Sequence, residues 1–261
     1  MENEIFVLDS GVGGLDILKA LQVALPHENF HYIADNKNVP YGSKAKEELE
    51  KIGLDLVLRA EQANAKMIVI ACNTLSLNAI DNMKEHTGIP IYGIVRPTIK
   101  GFLNHNIDSV LVLATPATIK SRRYLDFLSE LAPHVKVYQQ EAPELATCIE
   151  RNDTNNLDNL IELYIEPYKD KVNAVILGCT HYPIVDKNFR KLYPDLLFVN
   201  SRKQMVQLIS DKLQLHKIKN MQCNEGSTLI EATGCLEDLI NASQHFFDYN
   251  DKKIRIKGGE Y

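Results

Sequence analysis

The hydrophobic pattern of the chain alternates between two kinds of segment. Short apolar runs, rich in valine and isoleucine and with few polar interruptions, recur along the sequence. Runs of this length and continuity are typical of strands in a parallel sheet that is covered on both faces. They lie at residues 5–8, 30–34, 67–71, 89–95, 110–114, 135–138, 174–177 and 196–199.

The segments between these runs carry apolar residues at helical spacing, with charged residues on the remaining positions. A regular alternation of strands and helices predicts an α/β fold with mostly parallel sheets. The predicted helices lie at residues 15–25, 44–63, 117–131, 155–168 and 201–215.

The predicted domain organisation has two parts, although no Gly/Ser-rich linker divides the chain. A boundary is expected near Arg96–Pro97, because proline resets the backbone after an apolar run. The C-terminal segment reads as a strand (227–233), a helix (236–247) and a strand (253–257), which need an existing sheet to join. We therefore expect one α/β domain from residues 1–96 plus 208–261 and a second from 97–207.

A weak internal repeat supports two similar halves. Residues 68–74 (IVIACNT) and 175–181 (VILGCTH) each contain an apolar strand, one small residue, a cysteine and then polar residues. Seven residues can match by chance, but two equivalent α/β halves also produce such a repeat.

Composition excludes several classes of protein. The 261 residues are 45% hydrophobic and 24% charged, a soluble globular balance, and the net charge is -5 without a long basic run. A diffuse negative charge disfavours nucleic-acid binding. The first residues lack the basic start and apolar core of a signal peptide, and no window has the ~18 apolar residues of a membrane span. We expect a cytoplasmic protein without nucleic-acid or membrane partners.

The five cysteines are an odd number at wide spacing, which is a poor disulfide framework. The sequence has no CxxC or HExxH motif, so no metal site is predicted. A free cysteine is most often a small buried apolar residue. That packing role is assigned to Cys148, Cys223 and Cys235, which lie in helical or irregular stretches.

Cys72 and Cys179 differ from the other cysteines because each follows a predicted strand and precedes polar residues. In open parallel sheets, ligands bind beyond the carboxyl ends of the strands. A helix N-terminus there favours the thiolate and is expected to lower its pKa from about 8.5 to roughly 3.5–7.5. His181 could serve as a base or hydrogen-bond partner of Cys179. The alternative is two core cysteines and a histidine that caps or packs.

A glycine-rich segment, Gly11-Val12-Gly13-Gly14, follows the first strand. It is not a dinucleotide fingerprint, because Asp16 stands where that motif needs glycine, and the Gly-Lys-Ser/Thr of a phosphate loop is absent. Its backbone amides at a helix N-terminus suit a carboxylate. Asp9 is either a general base or a helix cap. Four other short polar side chains have a similar pair of interpretations, as amino-acid ligands or as caps: Ser10, Asn73, Thr74 and Thr180.

Five segments taken together resemble the glutamate racemase family over nearly the whole chain. Each segment alone is weak, but their order and spacing make the set specific. The segments are Asp9-Ser10-Gly11-Val12-Gly13-Gly14, Pro40-Tyr41-Gly42-Ser43, Ala71-Cys72-Asn73-Thr74, Thr115 with Ala117-Thr118-Ile119-Lys120-Ser121 and Tyr124, and Gly178-Cys179-Thr180-His181-Tyr182-Pro183.

The resemblance implies two similar α/β domains, related by a pseudo-twofold, with the active site between them. It implies that Cys72 acts on D-glutamate and Cys179 on L-glutamate, from opposite faces of the α-carbon. Asp9 and His181 would assist the cysteines, and Glu150 would be a further acidic residue of the site. Substrate-binding residues implied by the resemblance, or placed beside the site by it, are Asp9, Ser10, Pro40, Tyr41, Gly42, Ser43, Asn73, Thr74, Thr115, Thr118, Thr180 and His181.

The resemblance also implies an enzyme without pyridoxal phosphate or metal, a homodimer, and a role in supplying D-glutamate for peptidoglycan. Chemistry supports the two-thiol arrangement independently. An amino-acid α-proton is very weakly acidic, so base strength, electrostatics and position must all contribute. Racemisation needs acid/base groups on two opposite faces, and one thiol from each half provides them.

Four positions depart from the family pattern without removing a proposed catalytic group, and one of them is Ala34, where glycine is common before Asp35. Arg96 stands where glutamate is usual and reverses a charge near the domain junction. Ala142 replaces a usual cysteine. Leu75 replaces a usual alanine next to the site and is expected to alter pocket size. An aspartate or broad-specificity racemase therefore stays open as an alternative, as does a non-catalytic amino-acid-binding regulator, which would not need two opposed thiols.

Overall fold

The computed structural model describes residues 4–105, 107–221 and 224–258. Within these ranges, the strands coincide closely with the apolar runs because those runs supply the continuous buried surface that a covered sheet needs. The strands are β1 (Ile5–Asp9), β2 (Phe30–Ala34), β3 (Met67–Ile70), β4 (Ile91–Gly93), β5 (Ser109–Ala114), β6 (Lys136–Glu141), β7 (Ala174–Gly178), β8 (Leu197–Val199), β9 (Thr228–Ala232) and β10 (Ile254–Gly258).

The helices lie between the strands and pack on the sheets. They are α1 (Leu15–Ala24), α2 (Lys46–Gln62), α3 (Asn73–Asn78), α4 (Ile80–Glu85), α5 (Val95–Leu103), α6 (Pro116–Lys120), α7 (Arg123–Leu131), α8 (Leu145–Glu150), α9 (Thr154–Ile165), α10 (Asp186–Leu192), α11 (Arg202–Leu215) and α12 (Leu236–Ser243). Short 3₁₀ turns occupy Asn36–Asn38, Tyr41–Ser43, Glu166–Tyr168 and Tyr182–Val185.

The strands form two parallel sheets, which confirms the predicted fold class. Six strands lie in the order β10-β9-β2-β1-β3-β4, and four lie in the order β6-β5-β7-β8. All the strand pairs described are parallel. The second sheet repeats the order β2-β1-β3-β4 of the first. The C-terminal strands β9 and β10 extend the first sheet beyond β2, so the tail returns to the sheet that contains β1.

Each sheet is covered on both faces, because successive side chains of a strand point to opposite sides. In β1, Val7 belongs to one buried cluster and its neighbours Phe6 and Leu8 to another. The cluster that holds Val7 also contains Val110 of β5 and Ile176 of β7, so one apolar core joins the two sheets. Helix α11 contacts both α1 and α5 along this shared core. The domain limits at residues 96/97 and 207/208 stay a prediction.

The boundary expected at Arg96–Pro97 does not interrupt the local structure. The predicted strand 89–95 is too long: β4 ends at Gly93, and α5 already begins at Val95. Pro97 is the third residue of that helix, where a missing N–H breaks no helical hydrogen bond. The Arg96 side chain is exposed and stacks over the Phe127 ring of α7, 4.5 Å from its centroid.

The predicted helix 117–131 is also wrong in one respect, because it is two helices. Arg122 lies between α6 and α7 with φ of 58°, in the left-handed region. This conformation is uncommon for a residue other than glycine, and the sequence around it contains no glycine that signals the break.

Cys223 lies outside the described residues.

Candidate active site

Two cysteines follow equivalent strands of the two sheets. From β1 the chain goes to β2 on one side and then crosses to β3 on the other; from β5 it goes to β6 and then crosses to β7. The carboxyl ends at such a crossing form the crevice where ligands bind in open α/β sheets. Cys72 lies just after β3, and Cys179 directly follows β7. The internal repeat of the sequence therefore occupies equivalent positions.

Both thiols line one cavity of about 150 Å³ that is built from both halves of the molecule. Small size and mixed polarity suit a single amino acid rather than a nucleotide or a polymer. The cavity is lined by Ser10, Val39, Pro40, Tyr41, Gly42, Ser43, Cys72, Asn73, Thr74, Thr115, Pro116, Pro143, Ala146, Thr147, Glu150, Cys179, Thr180 and His181.

Cys72 is buried at the N-cap of α3, and its Sγ lies 3.9 Å from the Ser10 hydroxyl oxygen. Burial and the negative charge of Asp9 raise its pKa to about 12, although the Leu75 backbone N–H opposes this. The expectation of a lowered pKa is therefore wrong for Cys72. The helix-terminus effect is present, but removing the thiolate from water costs more. Cys72 rests as a neutral thiol.

Cys179 has an ionisable partner. His181 Nδ1 lies 3.5 Å from Cys179 Sγ, and His181 Nε2 lies 2.7 Å from Glu150 Oε1. Burial lowers the pKa of His181, but the negative charges of Glu150 and of a Cys179 thiolate, with the hydrogen bonds to both, raise it well above its usual value. Burial acts to raise the pKa of Glu150, but the positive charge of His181 holds this pKa below its usual value. The imidazolium is therefore paired on both sides.

Asp9 lies behind the cavity wall and links the two halves. Its side chain accepts hydrogen bonds from the Gly11 backbone N–H at 3.0 Å and from the Thr180 hydroxyl at 3.2 Å. Complete burial raises the pKa of Asp9, while the charge of His181 opposes the rise. A Cβ on Gly14 would lie 2.6 Å from the Asp9 Cβ, so glycine is needed there for the loop to pack against this carboxylate.

Hydroxyl and amide groups join the halves on the other side of the cavity. The Thr74 hydroxyl of α3 lies 2.9 Å from that of Thr115 and 3.2 Å from that of Thr118. The buried Tyr124 hydroxyl of α7 donates to Asn73 Oδ1 at 2.7 Å. This hydrogen bond to Oδ1 fixes the orientation of the Asn73 side chain at the cavity wall.

The family is decided by a match over most of the chain. The sequence model described as Asp/Glu/hydantoin racemase matches residues 16–208. The chain belongs to the Asp/Glu/hydantoin racemase family. The glutamate racemase of Carboxydothermus hydrogenoformans is 34% identical over 257 residues, which cover 96% of this chain and 94% of that protein.

Solved structures of this racemase family share the fold. A glutamate racemase isoform from Bacillus anthracis superposes with a TM-score of 0.90 at 28% identity, covering 99% of this chain and 98% of that one. The Francisella tularensis glutamate racemase in complex with D-glutamate superposes with a TM-score of 0.89 at 28% identity, covering 98% and 97%.

The structure brings nearly all of the residues predicted for a racemase site to one cavity. Asp9 and Thr118 are the exceptions: both are buried and lie behind lining residues, at Thr180 and Thr74 respectively. Several other lining residues are not identifiable from the sequence, because they contribute only shape or a lone hydroxyl to the cavity. They are Val39, Pro116, Pro143, Ala146 and Thr147.

Three of the departures from the family pattern prove to be core positions, and one of them is Ala34, which is fully buried in β2. Leu75 is fully buried in the apolar cluster between the first sheet and its helices and does not line the cavity. The expectation that Leu75 alters pocket size is therefore wrong. Ala142 is fully buried in the second half, where its carbonyl accepts a 3.3 Å hydrogen bond from the Tyr182 hydroxyl.

The described residues, 4–105, 107–221 and 224–258, hold no group of three or more His, Cys, Asp or Glu side chains arranged to bind a metal ion. No helix in these ranges is both long and apolar enough to span a membrane.

Proposed function

We propose that this protein interconverts L- and D-glutamate by proton transfer at the α-carbon between Cys72 and Cys179. One observation carries the proposal: two thiols, at equivalent strand ends in two halves, line one cavity of amino-acid size. Simple binding of an amino acid needs no such pair. The curated relative and the solved structures, which are glutamate racemases, support glutamate as the substrate.

The protonation states of the two thiols supply a starting point for the reaction. Each turnover needs one base and one acid on opposite faces of the α-carbon. The raised pKa of Cys72 makes it the acid in the resting enzyme. We assign Cys179 as the base, because its Sγ lies 3.5 Å from Nδ1 of the His181 imidazolium. The resting pair is therefore prepared for L-glutamate.

In the forward direction, the Cys179 thiolate removes the α-proton of L-glutamate and becomes a thiol. The Cys72 thiol then delivers its own proton to the opposite face, which yields D-glutamate and leaves Cys72 as the thiolate. The number of protons in the pair is conserved. The reverse reaction starts from the Cys72 thiolate, so the two protonation forms of the free enzyme must interconvert between turnovers in one direction.

The negative charge that develops at the α-carbon and its carboxylate needs hydrogen-bond donors that are already in place. We assign this task to the hydroxyl and amide groups of Ser10, Asn73, Thr74 and Thr180. The loop with Pro40 to Ser43 closes the cavity beside them and contacts the substrate side chain. Asp9 and Thr118 act from behind the wall, by holding Thr180 and Thr74.

Three wider assignments belong to the same proposal. The product D-glutamate would supply peptidoglycan synthesis, the enzyme would work in the cytoplasm, and it would form a homodimer. Sedimentation velocity of the purified protein tests the dimer, and a monomer at all concentrations contradicts it. Fractionation of the source cells tests the compartment.

The deciding experiment is incubation of the purified protein with D-glutamate in deuterated water. Thiol protons exchange with solvent, so L-glutamate that forms should carry deuterium at Cα, measured by NMR and chiral chromatography. Cys72→Ala and Cys179→Ala should each lose activity by about a thousandfold or more, because each removes one of the two acid/base groups.

Cys148→Ala is the matched control. Cys148 is also a buried free cysteine, but it does not line the cavity and bonds to the Asp153 carbonyl oxygen. It should keep full activity. A folded wild-type protein that neither racemises nor exchanges glutamate contradicts the proposal. A larger kcat/KM for aspartate than for glutamate contradicts the substrate and leaves the two-thiol chemistry in place.

A further inference from the structure

A loop that lines the cavity is held by the C-terminal part of the chain. Residues 36–43, here named the cavity loop, contain the two 3₁₀ turns Asn36–Asn38 and Tyr41–Ser43 and carry Pro40 to Ser43 into the cavity wall. Such short turns supply few internal backbone hydrogen bonds. The shape of the cavity loop therefore depends on contacts with other segments.

Asp35 is the centre of these contacts. It directly follows β2, and only 2% of its surface is exposed. Its carboxylate accepts hydrogen bonds from the Tyr41 hydroxyl at 2.5 Å, from Asn38 Nδ2 at 2.9 and 3.1 Å, and from the Thr233 hydroxyl at 2.6 Å. Hydrogen bonds to a buried charge are strong and directional. Two of these three donor side chains belong to the cavity loop.

The third donor belongs to residues 233–235, here named the buttress, which follow β9. The Thr233 hydroxyl also accepts the Lys37 backbone N–H at 3.3 Å. The Gly234 N–H donates to Asn36 Oδ1 at 2.7 Å, and Asn36 Nδ2 donates to the Cys235 carbonyl at 2.7 Å. A Cβ on Gly234 would lie 3.0 Å from the Lys37 nitrogen, so the two backbones are in close contact.

The buttress reaches the cavity loop because of the sheet register. Strand β9 pairs with β2 so that Ala232 lies beside Ala34, which places the following residues, Thr233 and Asp35, next to each other. Within the described residues, the second sheet ends at β6 and has no strand in the place of β9. The extra strands thus support only the half that carries the cavity loop.

We propose that Asp35 and Thr233 are positioning residues for substrate binding: they hold the cavity loop in the shape that closes the cavity over glutamate. This inference rests on the proposed function, because it assigns the loop a substrate. Neither residue lines the cavity. Both act through Tyr41, directly or by fixing the turn that precedes it.

Thr233→Val tests the proposal, because it removes the hydroxyl and keeps the side-chain volume. KM for L- and D-glutamate should each rise by about fivefold to tenfold, while kcat changes by less than about twofold, the pattern of a lost binding contact. Asp35→Asn should change KM in the same direction by more. Thr233→Ser should restore the wild-type KM.

Asp153→Asn is the matched control. Asp153 accepts a hydrogen bond from Asn156 Nδ2 at 2.7 Å, as Asp35 does from Asn38, and both pairs are three residues apart. Asp153 caps α9 and does not line the cavity. This variant should lose thermal stability and keep the wild-type KM, which separates general destabilisation from an effect on the loop.

Amide hydrogen exchange supplies a readout of the loop itself. In Thr233→Val, exchange should accelerate at Asn38 and Lys44, whose N–H groups bond to Asp35 O and Tyr41 O, and stay unchanged in β1 and β3. An active wild type with an unchanged KM in folded Thr233→Val and Asp35→Asn overturns this inference alone. An inactive wild type overturns the proposed function, and this inference with it.

Discussion

Cys72 and Cys179 lie at equivalent strand ends, but their surroundings differ in charge. Burial and the nearby negative charge of Asp9 favour the neutral form of the Cys72 thiol, and the Ser10 hydroxyl at 3.9 Å opposes them. The Cys179 thiol has the His181 imidazole at 3.5 Å, backed by Glu150. Equal positions in two similar sheets therefore do not impose equal electrostatics. The difference arises from the loops and helices that follow the strands.

This difference suits a reaction in which one group must be an acid while the other is a base. It does not favour one product, because enantiomers have equal free energy in water and the equilibrium constant is one. The values of kcat/KM in the two directions must therefore be equal in every variant. The asymmetry can show itself only in kcat and KM separately and in the isotope effects of the two proton transfers.

Among the groups around the two thiols, the largest expected effect comes from removing the partner of Cys179. His181→Asn should lower kcat/KM in both directions by about a hundredfold to a thousandfold, because the thiolate loses its cation. With α-deuterated substrates, the isotope effect should grow for L-glutamate and shrink for D-glutamate, since the Cys179 transfer becomes slower. Equal isotope effects in both directions contradict the proposed assignment of Cys179 to the L-enantiomer.

His31→Asn is a suitable control for that experiment. His31 is also buried and bonded to a glutamate, with Nε2 3.1 Å from Glu231 Oε2, but it lies outside the cavity lining. It should lose stability without changing the isotope effects.

A smaller effect is expected on the Cys72 side. Asp9→Asn removes a negative charge that raises the pKa of Cys72, so that pKa should fall from about 12. The pH dependence of Cys72 alkylation, measured in a Cys179→Ala background, reports it. Activity should fall by about tenfold, because a neutral amide accepts the Thr180 hydrogen bond less strongly than the carboxylate does. An unchanged alkylation profile contradicts the proposed electrostatic link, and Asp16→Asn, at the surface pair with Arg202, is the control.

Glu150→Gln should have a still smaller effect on turnover, and it tests the cause of the His181 charge. Glu150 is the main group that raises the pKa of His181 against burial, so that pKa should fall when the carboxylate is removed. NMR titration of the ring measures it, and activity should decline at the alkaline end by roughly threefold to tenfold. The matched pair is His31 with Glu231, where Glu231→Gln should lower the pKa of His31 only.

The same pair predicts a pH window of stability. The lowered pKa of Glu150 stabilises the fold above about 4.5, and this contribution is lost as pH falls through the folded value. The raised pKa of His181 stabilises the fold below about 6.5, and this contribution is lost as pH rises through the folded value. The difference in unfolding free energy between wild type and Glu150→Gln should therefore shrink below pH 4.5. A difference that is constant with pH contradicts the pairing.

The smallest expected effect on activity is at Leu75, beside Cys72 in sequence. Leu75→Ala should cost about 2–5 kcal/mol of unfolding free energy because it opens a space in a packed core. The ratio of kcat/KM for glutamate to that for aspartate should stay within about twofold, since Leu75 does not line the cavity. Denaturant unfolding and steady-state kinetics measure the two quantities. A change in this kcat/KM ratio beyond twofold would contradict the prediction and would show that Leu75 affects the substrate pocket.

Much of the fold is readable from the sequence because a doubly covered sheet demands continuous apolar strands. The predicted run 30–34 and strand β2 have the same limits. The break at Arg122 is not readable, because no glycine marks the position where the backbone turns left-handed. The short length of β4 is not readable either, since Ile94 and Val95 are apolar and serve a buried helix start equally well.

The sequence by itself determined the order of strands and helices, the two cysteines at strand ends and the glycine loop before α1, because these depend on local periodicity and residue type. Only the tertiary structure decided which groups meet. Asp9 and Thr180 are 171 positions apart, and the buttress meets Asp35 from the far end of the chain. It also decided the charge of Cys72, since a pKa depends on burial and on neighbouring charges. Both of these come from the other segments that close over the strand end.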